Sequence, residues 1–174
     1  FIGTNPYQAH GIPNARDTLK HIKKDPNRTM VVFDPRLTET AKQADIHVQL
    51  RPGTDAYLMS AMIAIMLREN LYDAEFIQQH THGFEEVKQA FLRIPIEQYI
   101  QKVDVPAELI YQIVRDFSQA KRGCVRIDLG IQHTLNTTLN SYLEKLLYLL
   151  TGHFGKQGTN NLHTMFVPIL GDTD

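Results

Sequence analysis

The segment from Met30 to Asp55 constrains the fold more than any other part of the chain. Residues 30–33 form an apolar run rich in β-branched side chains, which predicts a strand buried on both faces that ends before Pro35. Residues 46–50 predict a second strand, which leads through a proline–glycine turn into a long apolar helix. Two buried strands in this order indicate a parallel sheet.

Polar residues directly follow each of these two strands. Asp34 ends the first strand, and Gly53, Thr54 and Asp55 form the turn after the second. Because parallel α/β sheets bind ligands outside the carboxyl ends of their strands, we expect these residues to line one pocket with two carboxylates. Helix capping or turn formation remains the alternative role for Asp34 and Asp55.

The amino-terminal residues predict a further strand end and a turn. Residues 1–2 are apolar, and the turn that follows, Gly3-Thr4-Asn5, begins with a glycine that lets backbone approach a ligand closely. The chain begins without methionine, as if in the middle of a strand, so we expect a fragment of a longer protein. Processing of the chain would give the same start.

The order of strands and helices predicts the fold class. Asn14 can cap a helix over residues 15–24, and Thr38 can cap a short helix over residues 39–44. The resulting order of strand, helix, strand, short helix and strand predicts one α/β domain over residues 1–174, a Rossmann-like, doubly wound and mostly parallel sheet flanked by helices.

A helical insertion is predicted between the third and fourth strands. Its helices are expected over residues 55–70, with one apolar face, and over residues 74–79, 84–92 and 107–117. Beyond it, residues 125–129 predict the fourth strand and residues 139–150 an apolar helix.

Two loops follow these last elements. Gly130, Gln132 and His133 lie in the loop after the fourth strand, and the two side chains are either ligand contacts or part of a solvated turn. The glycine-rich stretch over residues 152–161 has the wrong element order for a phosphate-binding P-loop and is interpreted as turns.

Composition excludes several classes of protein. The 18 lysines and arginines nearly balance 19 acidic residues, so no basic field exists to bind nucleic acid. The single cysteine, Cys124, excludes a disulfide and a cysteine-rich zinc or iron–sulfur site within these residues. The longest apolar stretch, residues 57–67, is too short to cross a bilayer, so we expect no membrane segment and a soluble, cytoplasmic protein.

A nicotinamide-dependent dehydrogenase is a weaker interpretation. A glycine turn after the first strand and an acid after the second match that class in kind. However, the separation of Gly3 from Asp34 exceeds the roughly 20 residues of the dinucleotide fingerprint, and the chain has no G-x-G-x-x-G motif.

Taken together, the motifs resemble a known enzyme family. The string DPRLTETAKQADIHVQLRPGTD follows GTNP and precedes LTGHFGKQGTNN, with an apolar helix before the last motif. This set, which spans residues 3–161, is similar to the molybdopterin oxidoreductases, and most similar to their formate-dehydrogenase-type large subunits. In such enzymes two molybdopterin guanine dinucleotides hold molybdenum or tungsten, and the matching region is the Rossmann-like domain that binds one of them.

The resemblance implies residue roles. It places Gly3, Thr4 and Asn5 beside the dinucleotide, Asp34 and Arg36 at the guanosine and its phosphates, Gly53, Thr54 and Asp55 at the guanine end, and Gly130, Gln132 and His133 near the pterin and metal. No catalytic residue and no metal ligand are implied.

The chemistry of these side chains agrees with the implied roles. A carboxylate such as Asp55 accepts from the N1 and N2 donors of guanine, and Asp34 can accept from ribose hydroxyls. Arg36 offers a planar fork to phosphate oxygens. Such a pocket rejects adenine, because a buried carboxylate left unpaired is costly.

The chain is therefore predicted to be an interior domain of a formate-dehydrogenase-like oxidoreductase whose remaining domains are its partners. The family's iron–sulfur segment, metal ligand and closing domain have no counterpart in these residues, so the fragment alone should be inactive. The alternative is a stand-alone nucleotide-binding or scaffolding module without redox activity.

Overall fold

The computed structural model describes residues 1–9 and 11–161. Helices dominate it, and the only regular sheet among these residues has two strands. In chain order the elements are α1 (Ala15–Lys24), β1 (Val31–Phe33), a 3-10 turn (Ala41–Gln43), β2 (Ile46–Val48), α2 (Asp55–Arg68), α3 (Ala74–His80), α4 (Phe84–Leu92), α5 (Ile96–Val103), α6 (Ala107–Gln119), α7 (Leu129–Gln132) and α8 (Thr137–Leu150).

The sheet is parallel, as predicted, but small. Strands β1 and β2 pair in a register that sets Val31 opposite Ile46 and Phe33 opposite Val48. Ile2 adds isolated parallel bridges to Phe33 on one side and to Ile127 on the other. The parallel segments therefore lie in the order 127, 2, 33 and 48, but the doubly wound sheet is not confirmed, because two of the four segments pair at one residue only.

The fourth strand predicted over residues 125–129 is wrong. Only Ile127 pairs, and Asp128 then starts helix α7 by accepting a hydrogen bond from the Leu129 N–H at 3.0 Å. An aspartate at this position satisfies one of the free N–H groups of a helix start, which ends the extended conformation. The loop predicted after residue 129 is therefore the short helix α7.

Helices lie on both faces of the sheet. Val32 packs in one apolar cluster with Leu19 of α1, and Phe33 packs in the main core with α2. The alternation of side chains along β1 sends neighbouring residues to opposite faces, which explains the two clusters. This layering positions the carboxyl ends of β1 and β2 at one edge, between the two helical layers.

Helix α2 is the centre of the main core. Twelve of its 14 residues are buried, and it packs against α4, α5, α6 and α8. The prediction that this helix belongs to the core is confirmed, and its buried surface is wider than the predicted apolar face because helices cover α2 on all sides. Helix α5 was not predicted, although Ile96, Ile100 and Val103 form its buried face at helical spacing.

Of the two predicted helix-capping residues, Thr38 and Asn14, only Thr38 accepts a hydrogen bond through its side chain. The Thr38 hydroxyl accepts from the Ala41 N–H at 3.1 Å, although the element that follows is a 3-10 turn rather than an α-helix. Asn14 has a left-handed backbone (φ 50°) and makes no side-chain cap. Its carbonyl oxygen instead accepts from the N–H groups of Asp17 and Thr18.

Within the described residues, no helix has the length and apolar character that crossing a membrane requires.

Candidate functional site

Two of the predicted site glycines touch each other at the edge of the sheet. The Gly130 N–H donates to the Gly3 carbonyl at 3.0 Å, and the Gly3 N–H donates to the Phe33 carbonyl at 3.0 Å. A Cβ atom on Gly130 would lie 2.3 Å from the Gly3 oxygen, and one on Gly3 would lie 2.5 Å from Ile131 Cγ2. Gly3 also has φ +59°. Only glycine allows this approach of two backbones.

Thr4 is buried beside the same contact. Its hydroxyl donates to Asp128 Oδ2 at 3.5 Å, and the Arg126 guanidinium lies 3.4 Å from the same oxygen. The Arg126 Nε is buried, with no hydrogen-bond partner among the described residues. Asp128 therefore joins the first loop to the start of α7. We did not predict its role, although an aspartate before a short helical pattern is a capping signal.

Asn5 uses its side chain to join two loops of the protein. Its Oδ1 accepts from the Thr40 hydroxyl at 2.6 Å and from the Thr40 N–H at 3.3 Å, and its Nδ2 donates to Glu39 at 3.0 Å. The bond from Asn5 is the main reason that the pKa of Glu39 is lowered. Glu39 and the fully buried Thr40 were missed by sequence reasoning, because only the tertiary fold brings them to Asn5.

The two predicted carboxylates are nearly buried and close enough to repel each other. Asp34 is 9% exposed and Asp55 is 6% exposed. Burial raises the pKa of the Asp55 carboxyl, and the negative charge of Asp34 raises it further, although the Asp55 N–H opposes both effects. The structure therefore brings together the two acids that the strand ends predicted.

Asp34 is oriented by its own turn. Its Oδ1 accepts from the Arg36 N–H at 2.8 Å, its carbonyl oxygen is 2.9 Å from a ring nitrogen of His47, and its N–H donates to the Val48 carbonyl. Within the described part of the chain, no side chain donates a hydrogen bond to either carboxylate. We refer to Gly3, Thr4, Asp34, Asp55 and Gly130 as the site edge.

The remaining predicted residues lie further from these contacts. Arg36 and Gly53 are exposed, and Gly53 has φ +78° with open space around its α-carbon. The buried Thr54 donates its hydroxyl to the Arg51 carbonyl at 2.7 Å and so closes its own turn. Gln132 and His133 are exposed at the end of α7.

The site edge suits a ligand rich in hydrogen-bond donors. Two carboxylates offer only acceptors, and hydrogen-bond donors that bind to them would stabilise their charged form. No cluster of three or more histidine, cysteine, aspartate or glutamate side chains in the described ranges could hold a metal ion. The edge therefore offers hydrogen-bond acceptors beside two closely packed backbones.

Comparisons with known proteins agree with the resemblance seen in the motifs. The chain is 35% identical over 160 residues to the F420-dependent formate dehydrogenase subunit alpha of Methanocaldococcus jannaschii, covering 91% of this chain and 23% of that protein. It is 31% identical over 155 residues to formate dehydrogenase H of Escherichia coli, covering 89% of this chain and 21% of that protein.

A solved structure has the same fold over most of the chain. Acetylene hydratase from Pelobacter acetylenicus matches with a TM-score of 0.74 and 27% identity, over 83% of this chain and 19% of its own. The chain thus spans about a fifth to a quarter of the length of these relatives. The profile of the molybdopterin oxidoreductase family matches residues 1–166. Because that match covers nearly the whole sequence, the chain belongs to the molybdopterin oxidoreductase family.

Proposed function

We propose that the site edge binds the guanine end of one molybdopterin guanine dinucleotide within a larger, formate-dehydrogenase-like oxidoreductase. The observation that carries this proposal is the buried Asp34–Asp55 pair beside the Gly3–Gly130 contact. When bound, the cofactor supplies the redox chemistry of molybdenum or tungsten. The residues described here bind and orient its nucleotide end.

Asp55 is the residue we assign to guanine. Its carboxylate is destabilised in the free protein by burial and by Asp34, and among the described residues its only hydrogen-bond donor is its own N–H. The N1–H and N2–H groups of guanine would supply two donors, and adenine offers no such pair. Asp34 is assigned to the ribose hydroxyls, because its Oδ1 accepts from its own turn while its Oδ2 accepts no hydrogen bond from the described residues.

The glycines have a steric role in this proposal. The N–H groups of Gly3 and Gly130 donate to protein carbonyls, so they are not available to phosphate oxygens. The exposed Arg36 is the residue we assign to the phosphates, since a guanidinium pairs with them in a bidentate manner. Thr4 and Asn5 hold the first loop, and Gly53 and Thr54 shape the turn that presents Asp55.

Two further parts of the proposal concern the longer protein. The four short parallel segments would be one half of a Rossmann-like doubly wound sheet, completed elsewhere in the parent chain. Gln132 and His133 are proposed to face the pterin and metal, because α7 begins directly at the Gly130 contact. The remaining domains would supply the metal ligand and the second dinucleotide site, so this chain alone is expected not to oxidise formate.

A thermal-shift titration with GMP, GDP, ADP and NAD tests the proposal. We expect guanine nucleotides to raise the melting temperature, because a ligand at 100 times its Kd stabilises the folded state by about 2.7 kcal/mol. Asp55→Ala should abolish the rise, whereas Asp116→Ala, which removes an exposed carboxylate on α6, should retain it.

The other outcomes separate the alternatives. A rise with NAD alone would favour the dehydrogenase interpretation. Equal rises with GDP and ADP would indicate a general nucleotide-binding module. No rise with any of the four nucleotides would contradict guanine binding by this chain.

A further inference from the structure

We propose that Asn160 is a positioning residue whose carboxamide holds residues 125–130 in place and so sets the Gly130 half of the site edge. This inference rests on the proposed function of that edge. It assigns a role to the glycine-rich stretch over residues 152–161, which was interpreted from the sequence as turns.

The Asn160 side chain pairs with both backbone groups of Val125. The Val125 N–H donates to Asn160 Oδ1 at 2.8 Å, and Asn160 Nδ2 donates to the Val125 carbonyl at 2.9 Å. This arrangement reproduces the pairing that a neighbouring strand would offer to residue 125. Among the described residues, the carboxamide thus occupies the open side of the short parallel segment that contains Ile127.

The loop that carries Asn160 is closed on itself and tied to two helices. The Asn160 N–H donates to the His153 carbonyl at 3.1 Å, and the Gly155 N–H donates to the Asn160 carbonyl at 2.9 Å. The buried His153 ring is 3.0 Å from the Ala120 carbonyl, just past α6, and 3.1 Å from the hydroxyl of Thr151, just past α8. Asn160 is therefore held by elements of the main core.

Close packing shows that the loop and the 123–125 segment fit each other. A Cβ atom on Gly123 would lie 2.4 Å from His153 Nδ1 and 2.8 Å from the ring of Phe117. The Phe117 and His153 rings also meet edge to face, with centroids 5.0 Å apart. The Asn160 pairing is thus one part of a packed contact rather than an isolated surface hydrogen bond.

From Val125 the backbone leads directly to the site edge. The next residue, Arg126, accepts from the Ile2 N–H at 2.9 Å, and Ile127 bridges Ile2. Asp128 and Gly130 lie two and four residues after Arg126. Asp128 contacts Thr4, and Gly130 contacts Gly3. The hydrogen bond between Gly3 and Gly130 requires the two backbones to stay in close contact. A small movement of residues 125–130 would break it, so the hydrogen bonds of Asn160 to Val125 help to hold Gly130 at Gly3.

Hydrogen–deuterium exchange combined with GDP titration tests this role on the complete chain. Asn160→Ala removes both bonds to Val125, and we expect the amides of residues 125–131 to exchange about tenfold faster and GDP to bind about tenfold more weakly. Asn160→Asp keeps the side-chain volume and the acceptor for the Val125 N–H but loses the donor. It should show a change in the same direction, because its second carboxylate oxygen would face the Val125 carbonyl without a proton between them. This variant tests the role if the alanine variant does not fold.

Thr159→Val is the matched control in the same loop. The Thr159 hydroxyl bonds to the Lys156 backbone and, at 3.5 Å, to the Asn160 carbonyl, but it bonds neither to the Asn160 carboxamide nor to Val125. This variant should loosen the loop while leaving the exchange of residues 125–131 and the affinity for GDP within about twofold of the wild type.

Each result supports or overturns the inference. Unchanged exchange of residues 125–131 in both Asn160 variants would overturn the anchoring role. Faster exchange with unchanged GDP affinity would overturn the positioning of the site. Failure of the wild-type chain to bind GDP would overturn the proposed function itself. The exchange of residues 125–131 in the Asn160 variants would still test the anchoring role.

Discussion

Helix α2 and the site edge are built in opposite ways. The helix buries 12 of its 14 residues, most of them aliphatic or methionine, among four other helices. The edge buries Thr4, Asp34 and Asp55 and joins two glycine backbones through single hydrogen bonds. The helix is stabilised by the amount of apolar area that leaves water, whereas the edge depends on the position of individual atoms.

This difference separates stability from function. Apolar packing tolerates substitutions that conserve volume, because its free energy is spread over many weak contacts. The edge keeps a carboxylate whose burial opposes folding, as the raised pKa of Asp55 shows. Asp55 is the one residue that belongs to both regions, as the first residue of α2 and a member of the site edge. We therefore expect changes in the apolar residues of α2 to alter stability without altering ligand selectivity, and changes at the edge, including Asp55, to alter ligand binding first.

The largest loss of stability is expected in α2. Ile63→Ala removes a fully buried side chain and leaves a cavity among packed helices, so the free energy of unfolding should fall by about 3 to 4 kcal/mol. Urea denaturation followed by circular dichroism would measure it. Ile63→Val should cost about 1 kcal/mol, and a cost equal to that of alanine would contradict the packing argument.

A slightly smaller loss, combined with loss of ligand binding, is expected for Gly130→Ala. The new Cβ would meet the Gly3 carbonyl at 2.3 Å, so the two backbones must separate, at about 2 to 3 kcal/mol. Calorimetry and GDP titration would measure both effects.

Gly53→Ala is the matched comparison for Gly130→Ala. The Gly53 position has open space but φ +78°, so it should cost only about 1 kcal/mol of backbone strain. Equal costs at the two glycines would contradict the close contact at Gly130.

Stability should also depend on pH through His153, a group outside both regions compared above. Burial lowers the pKa of His153 below its usual 6.5, although its hydrogen bond to the Ala120 carbonyl opposes the change. The unfolded chain therefore binds a proton more readily than the folded chain, so stability should fall as pH decreases below about 6.5. Melting temperatures from pH 8 to 5 would show this slope, and His153→Gln should flatten it.

The smallest effect, with the opposite sign, is expected for Asp55→Asn. Because the pKa of Asp55 is raised in the folded state, the folded chain holds this proton more tightly, and stability falls as pH rises above the usual range of an aspartate. The amide variant should therefore melt slightly higher at pH 7 and lose selectivity for guanine. A melting temperature at pH 7 below that of the wild type would show that the charge contributes to folding instead.

The helices show how much of the fold could be predicted from sequence. The bounds of α1 and α4 agree with the prediction, because apolar periodicity and neighbouring capping or turn residues act locally. Helix α5 was missed because its eight residues lie between two prolines that were interpreted only as breaks. The fourth strand failed because the alternation of apolar and charged residues over 125–129 carries no information on whether a partner strand pairs with it.

The candidate site was also predictable only where it depends on local sequence patterns. Asp34 and Asp55 were found because both follow strands, and strand ends of a parallel sheet share one edge. Asp128, Glu39 and Thr40 were missed, since their contacts to the first loop join residues far apart in the chain. Thr4 and Asp128, for example, are separated by 124 positions.

The sequence by itself determined six of the eight α-helices in the described residues, the parallel pairing of its two strands and the family, because these depend on local patterns and on ordered motifs. Only the tertiary structure decided that Gly3 and Gly130 touch, that Asp34 raises the pKa of Asp55 and that Asn160 pairs with Val125. Each of these is a contact between distant parts of the chain. Its strength depends on distances of a few ångströms and on exclusion of water, which no local pattern encodes.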